Sequence, residues 1–311
     1  MCTAVSLTAD KHHYFARTLD LEYHHNESVT LTPRRYPFSF TDGSTSREHP
    51  ALLGMAYVMN DYPLYYDAMN EHGLCMAGLA FRGYGRYAAP DKHTHALHIA
   101  PWEFIPYLLT RCATVADAKT LLANTDLVDI PFTETLPNQP MHWILSDRQA
   151  SIVIELDPKG HLIRYDNPAG VMTNAPPFPE ITAGLPRIDT LTAHPTYPMD
   201  TGISIRGGGA LGLPGDWTSQ SRFIRAAFLS RHMQILTPFD ALALLDSVKI
   251  PRGAVIAENG DLVTTVYSAV MDPASMRYLC RTEEDPSPRS ISPTPLQLRG
   301  NQCIRVPLSE K

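Results

Sequence analysis

Cys2 directly follows Met1 in this chain of 311 residues, and removal of Met1 would place a thiol and a free α-amine on one residue. An α-amine has a pKa of about 7.7–8.0, against roughly 10.4 for lysine, so far more of it is unprotonated at neutral pH. It can take the thiol proton without a histidine, as an N-terminal amine does for threonine nucleophiles. Position alone does not make a cysteine catalytic.

The other reactive side chains point elsewhere. His12-His13, His24-His25 and the group His93, His95 and His98 have no acidic residue or cysteine at ligand spacing, so they read as solvated loop and strand histidines. No metal and no cofactor is expected. The five cysteines, Cys2, Cys75, Cys112, Cys280 and Cys303, are odd in number and scattered, which argues against a disulfide framework or a structural zinc. Cys75 and Cys280 sit in apolar stretches and read as core residues. The net charge of −6 gives no electrostatic reason to expect nucleic acid, although local arginines can still meet an anionic substrate. No apolar run approaches the roughly 20 residues of a membrane helix. The first 30 residues carry charges and histidines with no signal-peptide pattern, so a cytoplasmic protein is expected.

Short segments rich in β-branched and aromatic residues predict strands at 2–7, 14–19, 28–31, 52–59, 65–70 and 74–81, bounded by turn signals such as Asp10-Lys11 and Asp42-Gly43-Ser44. A helix follows at 101–112, with Pro106 set to kink it or delay its start, and another at 114–124 with Thr114 as its N-cap. Further strands are predicted at 142–146, 152–156, 162–165 and 171–173. A Gly/Pro-rich loop spans 184–215, and helices cover 218–233, capped by Thr218 or Ser219, and 238–248. Strands at 262–271, 276–281 and 303–308 complete the chain, with a loosely ordered tail over 284–301. This order predicts an α+β protein with two antiparallel sheets packed face to face and helices outside.

Five stretches carry a resemblance. Met1-Cys2-Thr3-Ala4 with Tyr14-Phe15-Ala16-Arg17-Thr18-Leu19-Asp20 resembles the start of the choloylglycine hydrolase family, the bile salt hydrolases and penicillin V acylases among the N-terminal nucleophile hydrolases. Asn70-Glu71-His72-Gly73-Leu74 resembles its N-E-x-G-L signature, and Thr173-Asn174-Ala175-Pro176 its T-N-x-P turn. Leu213-Pro214-Gly215-Asp216 followed by Ser221-Arg222-Phe223 resembles its L-P-G-D…S-R-F segment, and Tyr267-Ser268-Ala269 a C-terminal strand pair.

The resemblance implies a four-layer αββα fold in a single N-terminal nucleophile hydrolase domain over 2–311, with Met1 removed. It implies Cys2 as nucleophile with its own amine as base, Arg17 beside the thiol, and Asp20 holding the α-ammonium. Asn174 would donate to the oxyanion, and Arg222 would lie close to the cysteine; Arg225 is the lesser candidate. Ala80 stands where the bile salt hydrolases carry Asn and the penicillin V acylases Tyr, so the oxyanion would be left to Asn174 and backbone donors, with altered specificity or lower activity. Loops at 22–26, 55–61 and 131–140 would form the pocket, with Ala80, Phe81, Met59, Tyr62, Tyr65, Phe132 and Trp143 as contacts. Arg206 is a candidate for meeting an anionic amino-acid tail.

The expected activity is hydrolysis of linear amides through a Cys2 thioester. Conjugated bile salts come first, because Pro33-Arg34-Arg35-Tyr36-Pro37 and the loop lengths look closer to that branch. Penicillin V or an N-acyl-homoserine lactone is the alternative within the same chemistry, and a non-catalytic binder of bile acids or acyl amides is the alternative outside it. The family likeness also implies a homotetramer, with the 184–215 loop as a contact.

Overall fold

In the computed structural model of the protein, residues 1–9, 12–89, 97–197 and 202–308 are described. The predicted Asp10-Lys11 turn, His93, His95 and residues 198–201 of the predicted loop lie outside them.

Strand-forming sequence builds two antiparallel sheets. The first has seven strands, in the order Val171–Met172, Cys2–Ala9, His12–Leu21, Leu262–Asp272, Arg277–Thr282 and Arg289–Ile291, with Val255–Ile256 also paired to Leu262–Asp272. The second has eight, in the order Leu162–Asp166, Ser151–Leu156, Met141–Ser146, Cys75–Ala80, Tyr62–Asn70, Leu52–Met59, Ser28–Thr32 and Ile304–Pro307. Helices Ser219–His232 and Pro238–Asp246 pack on the first sheet, and Phe104–Leu109 packs on the second. The four layers run helix, sheet, sheet, helix, as the α+β reading expects.

Burial on both faces explains the sequence pattern of the central strands. In Leu262–Asp272 every residue after Leu262 is buried, because one face meets helices and the other the second sheet. A separate apolar cluster that includes Phe38, Leu52, Phe104, Tyr107 and Leu108 fills the space outside the second sheet. Between Leu52–Met59 and Tyr62–Asn70 the backbones come so close that a Cβ at Gly54 would lie 2.0 Å from the Asp67 carbonyl oxygen.

Helix starts follow local chemistry. Thr114 and Asp117 exchange side-chain and backbone hydrogen bonds at the start of Val115–Leu122. Thr218 rather than Ser219 caps Ser219–His232, accepting from the Ser221 N–H at 3.3 Å. The predicted 101–112 helix becomes a 3₁₀ turn, Pro101–Glu103, followed by Phe104–Leu109. Pro106 therefore sits in a first turn, where no N–H is missed.

The tail is a correction. Arg289–Ile291 pairs with Arg277–Thr282, Gln297–Arg299 is a 3₁₀ turn, and Ile291 and Leu298 pack against the main core. Arg289 also donates to the Pro307 and Leu308 carbonyls at 2.9 and 2.7 Å. Strand pairing and partly buried apolar side chains order a segment whose Pro/Ser composition reads as loose.

Candidate active site

The N-terminal hairpin pairs Cys2 with Leu19, Thr3 with Thr18 and Ala4 with Arg17. Alternation along a strand puts Cys2, Leu19 and Arg17 on the face toward the second sheet, and Thr3, Thr18 and Asp20 on the helix-side face. Val171–Met172 pairs on the other edge of Cys2–Ala9, which delivers Asn174 to the same end of the sheet. Arg222 comes from the second turn of Ser219–His232.

These groups converge on Cys2, which is 2 % exposed. The Cys2 N–H donates to Asn174 Oδ1 at 2.7 Å, and Arg222 Nη2 donates to the same oxygen at 2.8 Å. Arg222 Nη1 donates to the Cys2 carbonyl at 2.5 Å and to Thr3 Oγ1 at 2.6 Å. With two donors on its oxygen, the Asn174 amide is oriented, and its Nδ2 donates to the Ala80 carbonyl at 2.9 Å. An amide nitrogen carries two hydrogens, so one has no partner among the described residues. Ser219 Oγ donates to the Asn174 carbonyl at 2.9 Å and fixes the turn from the helix end.

Asp20 is fully buried beside Arg222, with Met1 still in place. Its carboxylate accepts from Thr265 Oγ1 at 2.6 Å and Thr18 Oγ1 at 3.3 Å and pairs with Arg222 at 3.8 Å. The Met1 α-ammonium instead donates to the Asp20 main-chain oxygen at 2.5 Å. Backbone pairing claims the amine while Met1 is present. Burial pushes the Asp20 carboxyl up, and Arg222, the N-terminal charge and the two threonines pull against it. Burial likewise weakens the hold of Arg222 on its proton, countered by Asp20 and Cys2.

Arg17 is fully buried. Its Nη1 donates to the Tyr66 carbonyl at 3.0 Å and the Gly78 carbonyl at 3.4 Å, and pairs with Asp67 at 3.5 Å. Its Nη2 is buried with no partner among the described residues. Burial works against its charge, but Tyr267, Cys2, Asp67 and Tyr278 outweigh burial, and the proton is held more tightly than usual. Asp67 also accepts from Tyr267 and Tyr278 hydroxyls at 2.5 and 2.7 Å. Burial drives its carboxyl up, opposed by Arg17 and both tyrosines.

The structure thus brings Cys2, Arg17, Asp20, Asn174 and Arg222 together, and adds the Ala80 carbonyl. Of the apolar candidates, Tyr65 and Trp143 belong to the cluster outside the second sheet. Phe81 is buried and stacks on His142, with ring centroids 4.3 Å apart. Tyr65 lies in the outer cluster, its hydroxyl shared with Thr32 Oγ1 at 3.2 Å, and so faces the helix layer. Trp143 is buried edge-on to Phe104. Phe132 is half-buried against Tyr62 and Trp102, and Met59 is opposite Tyr62 on the neighbouring strand. Arg206 is exposed beside the Thr196–Ile205 bridge. Arg225 holds the Pro214 and Asp216 carbonyls at 2.7 and 2.6 Å and shapes the turn before its helix. Sequence reasoning gives no role to Asp67, Tyr267, Tyr278 or Thr265. An aspartate in the middle of a mostly apolar strand, Tyr62–Asn70, is the available signal.

Residues 2–304 match the family model of linear amide C–N hydrolases, choloylglycine hydrolase family, a match that begins at Cys2. The chain belongs to the choloylglycine hydrolase family. Among its relatives is a bile salt hydrolase/transferase of Lactiplantibacillus plantarum, 38% identical over 99% of this chain and 97% of that one. A single-substitution variant of the conjugated bile acid hydrolase from Clostridium perfringens superposes with a TM-score of 0.90 at 30% identity, covering 99% and 97% of the two chains. Penicillin V acylase from Agrobacterium tumefaciens shares the fold, with a TM-score of 0.77 at 20% identity over 99% and 92%. As a choloylglycine hydrolase family member, the protein is an enzyme of linear amide C–N hydrolysis. No helix among the described residues is long and apolar enough to cross a membrane.

Proposed function

We propose that this enzyme hydrolyses conjugated bile salts, releasing free bile acid and glycine or taurine, through a thioester on Cys2 exposed by loss of Met1. The observation that carries the substrate assignment is the whole-length likeness to a bile salt hydrolase/transferase at 38% identity. The convergence of Asn174 and Arg222 on the Cys2 backbone supports the assignment of the nucleophile.

The steps follow from these groups. The Cys2 amine takes the Sγ proton, and the thiolate attacks the amide carbonyl. The carbonyl π electrons move to oxygen, where the free Nδ2 hydrogen of Asn174 and backbone N–H groups hold the charge. As the C–N bond breaks, the ammonium returns its proton to the leaving nitrogen and the acyl group remains as a thioester. Water, deprotonated by the same amine, then releases the acid and restores the thiol. Arg17 Nη2, which lacks a partner among the described residues, stands by for the sulfur's charge. Asp20 acts through Arg222, whose guanidinium it helps to hold against Cys2. No step calls for a metal or cofactor.

Glycine and taurine release from glycocholate and taurocholate, measured beside phenoxyacetate release from penicillin V, tests the assignment. Faster turnover of the bile salts supports it, and turnover of penicillin V alone overturns the substrate class. Loss of turnover with retained binding in Cys2→Ser separates an enzyme from a binder. We infer a single-domain, cytoplasmic homotetramer assembled through the 184–215 excursion, which exposes Tyr197, Ile203, Ile205 and Leu211. Light scattering on the purified protein would report the mass of the assembly.

A further inference from the structure

Met141–Ser146 and Ser151–Leu156 bring a histidine and a glutamate together beneath the Asn174 turn. His142 and Glu155 are 1 % and 2 % exposed, with His142 Nδ1 3.2 Å from Glu155 Oε1. His142 Nε2 is buried with no hydrogen-bond partner among the described residues. No step above uses either side chain, and burying such groups costs free energy that an apolar pair would not.

Each member of the pair reaches one half of the oxyanion region. Both Glu155 oxygens accept from the Phe178 N–H, at 3.0 and 3.2 Å. Only Ala175, Pro176 and Pro177 separate Phe178 from Asn174, and each proline ring locks its own φ. The spacer has little slack, so Glu155 fixes Asn174 from below. On the other side, the Phe81 ring lies on the His142 ring at an interplanar angle of 9°. Phe81 follows Ala80, whose carbonyl holds Asn174 Nδ2. The geometry points to the His142–Glu155 pair as a clamp that positions Asn174 against Ala80 and aims its free N–H at the oxyanion.

This inference rests on the role proposed above for Asn174. Both residues are positioning residues, since neither touches Cys2. The clamp matters more with alanine at position 80, because no second side-chain amide stands in if Asn174 drifts.

Glu155→Gln keeps the volume and turns one acceptor into a donor. Its kcat is expected to fall roughly tenfold or more, short of the about 10²–10³ that outright loss of an oxyanion donor costs, with KM held within about twofold. Ala80→Asn added to Glu155→Gln, which supplies a second amide, is expected to recover much of that kcat. His142→Phe keeps the stack on Phe81 and removes the imidazole from Glu155, and a smaller kcat loss with unchanged KM is expected; if Glu155→Gln does not fold, this variant carries the kinetic test. Unchanged kcat, or a loss that Ala80→Asn fails to relieve, overturns the clamp. A crystal structure of either variant reads the same device without substrate. Lengthening of the Asn174–Ala80 contact supports it, and a contact kept at 2.9 Å overturns it. A wild-type enzyme that releases no amino acid from any conjugate would instead count against the proposed function, leaving the crystallographic arm to decide the clamp.

Discussion

Among the described residues, Asn174 makes every hydrogen bond its side-chain amide allows except one. Its oxygen takes Cys2 N–H and Arg222, and one hydrogen of Nδ2 goes to Ala80. The remaining hydrogen is the one the proposed mechanism gives to the oxyanion. Asn174→Ala is therefore expected to lower kcat by about 10²–10³, roughly 2.7–4 kcal/mol of barrier, with little change in KM. Steady-state release of glycine from glycocholate reads this directly. Asp67 governs stability at the same scale. Asp67→Ala leaves Arg17 as a buried cation without its carboxylate, and unfolding in urea should show a loss of about 3–5 kcal/mol. An unchanged midpoint would mean that Tyr66 and Gly78 carbonyls suffice for the guanidinium.

Strand pairing explains both what is legible in the sequence and what is not. The relative placement of Cys2, Arg17 and Asp20 is legible because a single hairpin fixes their register and faces. Asn174 and Arg222 stand out in the sequence only through the family's T-N-x-P and S-R-F motifs, and their meeting at Cys2 is visible only in the fold. The directions of Tyr65 and Trp143 are not legible, because strands buried on both faces carry no polar–apolar alternation to show which way a side chain points. Asp67 goes without a role in the sequence because its partners, Arg17, Tyr267 and Tyr278, lie on strands distant along the chain. The short parallel pair Leu97–Ile99 and Thr125–Leu127 escapes a reading of composition because its pairing partner makes it a strand. Close strand approach yields a further expectation. Gly54→Ala forces a Cβ against Asp67 and Ala68 backbone, and overpacking of that kind should cost about 1–3 kcal/mol in thermal unfolding. Full retention of stability would show that the sheet yields there freely.

Across the whole molecule, acid stability depends on a group far along the hairpin from Cys2. His13 is buried with Nε2 near Ser6 and Ser146 hydroxyls at 3.2 and 3.0 Å. Burial pulls its imidazole down to about 4, against a smaller opposing pull from Asp147. A folded value below the unfolded one means that the unfolded chain binds the proton first as pH falls. The stabilisation is complete above about 6.5 and is lost on the way to about 4, an amount of about 3 kcal/mol. Asp20 and Asp67, raised by burial, work in the opposite direction, so the comparison must isolate His13. The stability difference between wild type and His13→Gln, taken from urea unfolding at a series of pH values, should shrink by that amount as pH drops from 7 to 4. Parallel curves would remove His13 from the account.

The proposed mechanism turns on a cysteine whose amine is free only if Met1 has gone. Intact-mass spectrometry on a purified sample with its turnover measured alongside tests this directly. The expected result is an active polypeptide lighter by one methionine. Full turnover from a polypeptide that still carries Met1 would contradict it.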